Sequence, residues 1–204
     1  NARYALAASA LAAVAFGLWL SPSFLAAALP YLAVNLAYSF AFKKIAYLDV
    51  ACIASGFLLR VLAGSFVIVP AIALSHYLLI TTFCLSFYLG LGKRLSELAS
   101  VGAESRKALK GYSPGLLRFT MVFCGLATGA CYLAYTLDHH TEAAFGSQLL
   151  WVTSGPVIIG LARFYQILGR SGAESPTDLM LKDIPFLLNL VVWVGLVAAI
   201  MVWR

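Results

Sequence analysis

The sequence predicts an all-α membrane protein, a polytopic bundle of spanning helices around a cavity that faces the cytoplasm. Three observations carry this. Hydrophobic residues make up 62% of the 204 residues and charged residues only 11%, whereas a water-soluble domain carries about 25% charged residues. The apolar residues fall in runs of roughly 20, the length that crosses a bilayer as a helix. The basic residues collect at alternate ends of those runs, the asymmetry that the positive-inside rule describes. The length suits one helical membrane domain over residues 1–204, with no separate soluble domain.

Taken in order, the predicted spans are Tyr4–Leu20, Phe24–Phe42, Leu48–Val69, Ala71–Leu91, Leu116–Leu137, Leu149–Leu168 and Pro185–Trp203. The first is short. No convincing cleavage site follows it, so it reads as a span and not as a signal peptide. Ser21-Pro22-Ser23 and Pro70 make tight turns between spans. With Arg3 in the cytoplasm, Lys43, Lys44, the loop from Gly92 to Gly115 and the loop from Gly169 to Ile184 are cytoplasmic too. The opposite connections, Ser21–Ser23, Pro70 and Asp138–Ser147, contain no Lys or Arg, and Arg204 is the exception at the far end. The net charge of +6 therefore belongs to membrane edges and does not indicate nucleic acid. Cys52, Cys84, Cys124 and Cys131 all lie in apolar segments with no CxxC pair, and read as small buried hydrophobes. No internal repeat is visible, which leaves an inverted-repeat transporter without support.

One charge stands apart. From Val50 to Gly92 the chain has no Lys, Asp or Glu, and Arg60 is its only Arg. A cation at membrane depth is costly and marks a site by default. Asp49 lies eleven residues before it. That spacing is about 20° of helical rotation and a rise of roughly 16 Å, so the two are expected on one face. Gly56 and Gly64 fall on nearly the same stripe, where a helix or ligand could approach closely. The expected site is a polar cavity open to the cytoplasm, with Arg60 holding a phosphate, because a guanidinium suits bidentate phosphate contact. The alternative is a structural Arg paired with an acid or with backbone carbonyls.

The remaining polar residues divide between ordinary and functional readings. Lys43 and Lys44, after Tyr38-Ser39, suit topology anchors. Gly90-Leu91-Gly92-Lys93-Arg94 lacks the spacing and the preceding strand of a phosphate loop. As a basic helix end it could still grip a diphosphate, or form a solvated salt-bridged turn with Glu97. His139, His140, Asp138 and Glu142 suit a short hydrated loop better than a metal site. His76 is expected as a hydrogen-bonded core histidine. No nucleophile elbow, HExxH or Ser/His/Asp arrangement is present.

Several of these segments together resemble the UbiA-type prenyltransferase superfamily. The resemblance rests on YSFAFK from Tyr38 to Lys43, then Asp49, then GFLLRVLAG from Gly56 to Gly64. It continues through LGKRLSEL from Leu91 to Leu98, and through Arg106 with Leu109 and Tyr112-Ser113. It ends with GLARFY from Gly160 to Tyr165 and PTDLMLKDIP from Pro176 to Pro185. The GKRxxEL element stands where the aromatic prenyltransferases carry a second aspartate-rich motif. It makes the chain similar, more narrowly, to the decaprenyl-phosphate phosphoribosyltransferase branch.

That resemblance implies nine helical spans around a central cavity. It implies transfer of a 5-phosphoribosyl group from phosphoribosyl diphosphate to a polyprenyl phosphate at the cytoplasmic face of the bacterial cell membrane, with Mg2+ on the leaving diphosphate. Carried onto this chain, the substrate-binding residues are Tyr38, Lys43, Asp49, Arg60, Lys93, Arg94 and Glu97. Arg60, Lys93 and Arg94 would contact phosphates, and Glu97 or Asp49 would assist magnesium or the ribose hydroxyls. Arg106, Tyr112, Lys182 and Asp183 stand in a second rank, and Arg163 marks a membrane edge. The family's first aspartate-rich motif, NDxxDxxxD, is absent. Its order places it, with two further spans, before Asn1. The chain is accordingly expected to be a fragment without the metal site and without activity by itself. An aromatic or quinone prenyltransferase, which would show acids at Lys93 and Arg94, is the nearer alternative. A non-catalytic membrane transport or lipid-binding protein is the more distant one. A homo-oligomer is left open.

Overall fold

The computed structural model describes residues 22–68, 75–101, 109–170 and 176–203. The first predicted span, Tyr4–Leu20, the turn at Pro70 and Arg106 lie outside them. The described residues form a polytopic all-helical membrane protein. The helices are α1 (Pro22–Phe40), α2 (Leu48–Ile68), α3 (His76–Val101), α4 (Pro114–Thr136), α5 (His139–Phe145), α6 (Ser154–Arg170), α7 (Pro176–Lys182) and α8 (Ile184–Val202). Short 3-10 turns cover Phe42–Lys44, Leu109–Gly111 and Leu149–Thr153.

Proline explains where several of these begin. Pro22, Pro114, Pro176 and Pro185 each sit in a first turn, where the missing N–H costs nothing and the fixed φ suits the helix. α8 is also capped by Asp183, whose side chain accepts from the Phe186 N–H. α5 ends at Gly146, in the left-handed conformation at φ 67°.

Five described helices are long and apolar enough to span a bilayer: α1, α2, α3, α4 and α8. The predicted span Leu149–Leu168 is more complicated. It is a 3-10 turn followed by α6, and reaches span length and apolarity only together with α5, from which it is bent by 97°. The connection expected as a hydrated loop at Asp138–Ser147 is thus mostly the helix α5. His76 corrects another expectation: it is exposed at the first residue of α3 and belongs to no core.

The largest departure concerns α3. The sequence predicts a loop from Gly92, but α3 runs on to Val101. Its 26 residues measure about 39 Å, more than the roughly 30 Å hydrocarbon core, so its last turns project beyond the bilayer edge. The two glycines do not end the helix because they serve its packing. A Cβ on Gly90 would lie 2.5 Å from Val50 Cγ1, and one on Gly92 would lie 2.7 Å from Phe164 Cε1. They let α2 and α6 close onto α3.

Chain neighbours pack side by side: α1 on α2, α2 on α3 and α3 on α4, with α6 set against α4 and α8. The core lies toward one end of the bundle. It gathers Val50, Tyr88, Leu91, Leu109, Tyr112, Leu117, Met121, Phe164 and Leu168 from α2, α3, the turn before α4, α4 and α6. Most large apolar side chains elsewhere are exposed, and no residue of α8 is buried. That is expected of helices whose solvent is hydrocarbon.

Candidate functional site

Two polar centres stand on α2, one at its start and one at mid-helix. The first begins in the connector after α1. The chain turns through Phe42–Lys44, passes Tyr47 at φ 63°, and enters α2. A left-handed backbone is uncommon at a residue other than glycine. Here it is held from outside. The Tyr47 N–H donates to the Tyr112 hydroxyl at 2.8 Å, and the two rings pack with centroids 4.6 Å apart.

The Tyr112 hydroxyl donates in turn to Asp49 Oδ1 at 2.6 Å, and Arg94 Nε donates to Asp49 Oδ2 at 2.7 Å. Arg94 Nη1 reaches Glu97 Oε2, also at 2.7 Å. Asp49 is 1% exposed and Arg94 3%. Burial, followed by the hydrogen bond to Asp49, pushes the Tyr112 phenol well above its usual range, so it remains a donor. The network ties four chain segments together: the α1–α2 connector, the start of α2, α3, and the segment before α4. Each carboxylate oxygen of Asp49 has a partner, the condition under which a buried ion pair offsets its desolvation cost.

Exposed lysines surround this closed centre. Lys43 and Lys44 lie on the turn before α2, Lys93 adjoins buried Arg94, and Lys110 lies on the turn before Tyr112. All four belong to the same end of the bundle, because Asp49, Arg94 and Tyr112 are in contact there.

The second centre is Arg60. It is exposed, and its Nη2 donates to the Tyr31 hydroxyl at 2.8 Å. The guanidinium carbon lies 5.1 Å from the ring centroids of both Tyr31 and Phe57, within cation–π range. No acid pairs with it among the described residues. Beside it lies a cavity of about 260 Å³ between α1 and α2, lined by Asn35, Tyr38, Cys52, Gly56 and Arg60 among others. Tyr31, Asn35 and Tyr38 follow i, i+4, i+7 spacing on α1, and Cys52, Gly56 and Arg60 follow i, i+4, i+8 on α2. Each set is one helical stripe, and the stripes face each other. Tyr31 and Asn35 escaped the sequence reading, although a polar stripe in an otherwise apolar helix was available to find them.

The predicted site residues therefore separate. Asp49, Arg94, Glu97 and Tyr112 form one network, while Tyr38 and Arg60 line a different cavity. Asp49 does not line it, so the shared face of Asp49 and Arg60 is not a shared site. The reason is position: Asp49 is in the first turn of α2, within reach of Arg94 and Tyr112. Arg94 with Glu97 is not a solvated turn either, since both are on continuous helix and Arg94 is buried. Lys43 and Lys93 are exposed and free of the network. Lys182 is exposed at the end of α7. Asp183 is engaged: Arg163 grips it through Nε at 3.0 Å and Nη2 at 2.7 Å, while it caps α8. Arg163 thus does more than mark a membrane edge, for it fastens α6 to α8.

No group of three or more His, Cys, Asp or Glu side chains converges among the described residues. His139 Nδ1 approaches Glu142 Oε2 at 3.6 Å, but the imidazole is 98% exposed and nothing joins the pair. Both Asp49 oxygens are taken. The described residues do not fit a magnesium site on their own.

Comparison with known proteins gives relatives over nearly all of the chain. It is 31% identical over 199 residues to decaprenyl-phosphate phosphoribosyltransferase of Mycolicibacterium smegmatis, covering 93% of this chain and 62% of that protein. It is 30% identical over 159 residues to the protein of that name from Corynebacterium glutamicum, covering 75% and 46%. It is 29% identical over 189 residues to the one from Mycobacterium tuberculosis, covering 90% and 60%. The chain thus spans between about half and three-fifths of the length of these relatives. No family model matches it.

Proposed function

The chain is a homologue of the decaprenyl-phosphate phosphoribosyltransferases, and from that kinship we propose that its protein transfers a 5-phosphoribosyl group from phosphoribosyl diphosphate to a polyprenyl phosphate. A phosphate oxygen of the lipid attacks C1 of the ribose. The C1–O bond to the diphosphate breaks, and the diphosphate leaves with the electron pair. The acceptor is already an anion, so the step needs cations more than it needs a base.

The observation that carries this reading is Arg60: a guanidinium at membrane depth, beside a polar cavity, with aromatic faces and a hydroxyl for partners and no acid among the described residues. Such a group is poised for an anionic ligand. We assign it a phosphate of the donor or of the lipid, with Asn35 and Tyr38 as neutral hydrogen-bonding groups beside it. Lys43 and Lys93 supply further positive charge at the bundle's basic end, which we place at the cytoplasmic face. Asp49 and Arg94 hold that end together and are positioning residues in this reading. The diphosphate donor makes magnesium part of the proposal. Its ligands would come from outside the described residues, and no step is derived through it.

The test uses membranes containing the full-length protein, labelled phosphoribosyl diphosphate, polyprenyl phosphate and magnesium. Labelled lipid is the expected product. Its absence from well-folded protein that still retains polyprenyl phosphate would favour a lipid-binding or transport protein. Product from a prenyl diphosphate and an aromatic acceptor would favour the prenyltransferase alternative, against which Lys93 and Arg94 speak.

A further inference from the structure

A second cavity, of about 470 Å³, lies between α3, α4 and α6, away from the Arg60 stripe on α1 and α2. Its walls include Tyr88, Val122, Gly125, Gly129, Ile158 and Ala162. The one polar group deep in the wall is already satisfied, since the Tyr88 hydroxyl donates to the Leu161 carbonyl at 2.8 Å. The cavity opens sideways: Val122, Leu126 and Ile158 on its rim are 44%, 70% and 51% exposed. These residues lie in or beside bilayer-spanning segments, so the opening faces hydrocarbon. An apolar cavity of this kind excludes water and accepts apolar matter. Its volume lies within the roughly 300–1,000 Å³ range of ligand sites.

The two ends of the groove differ. α4 and α6 are antiparallel, because Leu117 shares a core with Phe164 and Leu168, while a Cβ on Gly129 would touch Ile158. Gly129 and Ile158 therefore mark the apolar end. At the other end are Tyr165 and Gln166, both exposed, with Gln166 Oε1 accepting from Arg163 Nη1 at 3.3 Å. Arg118 belongs to that end as well. It precedes Val122 by one turn, or about 6 Å, on the stripe that continues through Gly125 and Gly129. Arg118 is exposed and has no ion-pair partner among the described residues.

A dry groove with a cation at one mouth matches a molecule with a hydrocarbon chain and an anionic head. We propose that the groove holds an acyl chain of an anionic phospholipid, with its phosphate against Arg118 and Gln166. The lipid is a resident of the bilayer and not the acceptor substrate, since the Arg60 cavity proposed for a substrate phosphate lies on the other side of α2. A second copy of the chain would fill the apolar end but would leave the basic mouth unexplained.

The experiment places the full-length protein in nanodiscs with phosphatidylglycerol or phosphatidylcholine carrying a photoactivatable acyl chain, and maps the labelled peptides. Label is expected on the stretches around Val122–Ala130 and Ile158–Gln166. Phosphatidylglycerol should exceed phosphatidylcholine about fivefold, the value of one basic contact at a membrane surface. Arg118→Gln should equalise the two lipids. Ala162→Trp, which fills the groove from an exposed position, should remove the label while leaving the melting temperature in place. Equal labelling of the wild type by both lipids would overturn the proposal. So would label displaced by polyprenyl phosphate but not by unlabelled phosphatidylglycerol, or crosslinks between copies through Ala162→Cys in place of lipid adducts. None of these outcomes depends on transferase activity.

Discussion

Arg94 and Arg60 are the same residue type in the same bundle, one beside the basic end and one at membrane depth, and their surroundings treat them oppositely. Arg94 is buried and gives its donors to Asp49 and Glu97 at 2.7 Å. Arg60 is exposed and gives one donor to a tyrosine hydroxyl and its planar face to two aromatic rings. A guanidinium has five N–H donors. One that grips two carboxylates is neutralised, whereas one that rests on ring faces and a hydroxyl keeps both its charge and most of its donors. The comparison shows that a charge in a membrane helix is not assigned by depth alone. Which acids lie within reach decides whether it closes a structure or keeps its donors open.

The most severe way to break the comparison is at its closed side. Arg94→Ala leaves Asp49 buried without its cationic partner, and should destabilise the full-length protein by about 3–5 kcal/mol. This would be read as a lowered denaturation midpoint in detergent. Asp49→Ala should act in the same direction. The double variant Asp49→Leu with Arg94→Met removes both charges and should recover much of the loss. If that double variant also recovers transfer, Arg94 acts through position; if it is folded and inactive, Arg94 touches substrate and the two arginines are less different than they look. Single variants that melt like the wild type would remove the closed centre altogether.

Arg60→Ala should do the reverse. Transfer should fall at least tenfold, in line with loss of a charged hydrogen bond worth about 1.5–3 kcal/mol, while the melting temperature hardly moves. Arg60→Lys keeps the charge but not the fork, and should recover part of the rate. Unchanged kinetics in Arg60→Ala would make the residue structural.

Much of this fold was legible because hydrocarbon imposes a simple rule: apolar runs of span length become helices. α1, α2, α4 and α8 follow it closely. α3 shows where it stops. Gly92 and Lys93 look like a helix end in sequence, but the helix continues because Gly92 is held against Phe164 and Arg94 finds two acids. Both are tertiary facts that no local pattern contains. The site was half legible for the same reason. Arg60 announces itself as an isolated charge, whereas the pairing of Asp49 with Arg94, 45 residues away, depends on which helices lie side by side. The periodicity of α2 put Asp49 and Arg60 on one stripe correctly as geometry. Chemistry divided that stripe, because α3 supplies a cation beside one and α1 supplies only aromatic and neutral groups beside the other.

The mildest change gives the finest test of the open side. Tyr31→Phe removes the hydroxyl that accepts from Arg60 Nη2 and keeps the ring beneath the guanidinium. If Tyr31 only steadies Arg60 for a phosphate, the variant should bind polyprenyl phosphate or phosphoribosyl diphosphate a few-fold more weakly, because the ring still supports the guanidinium and only one positioning contact is lost. Its kcat should change less than its KM. If the hydroxyl were instead Arg60's essential partner, Tyr31→Phe would match Arg60→Ala in its effect on transfer. The two residues would then form a closed pair of their own, and the contrast with Arg94 would narrow to the difference between a carboxylate and a phenol.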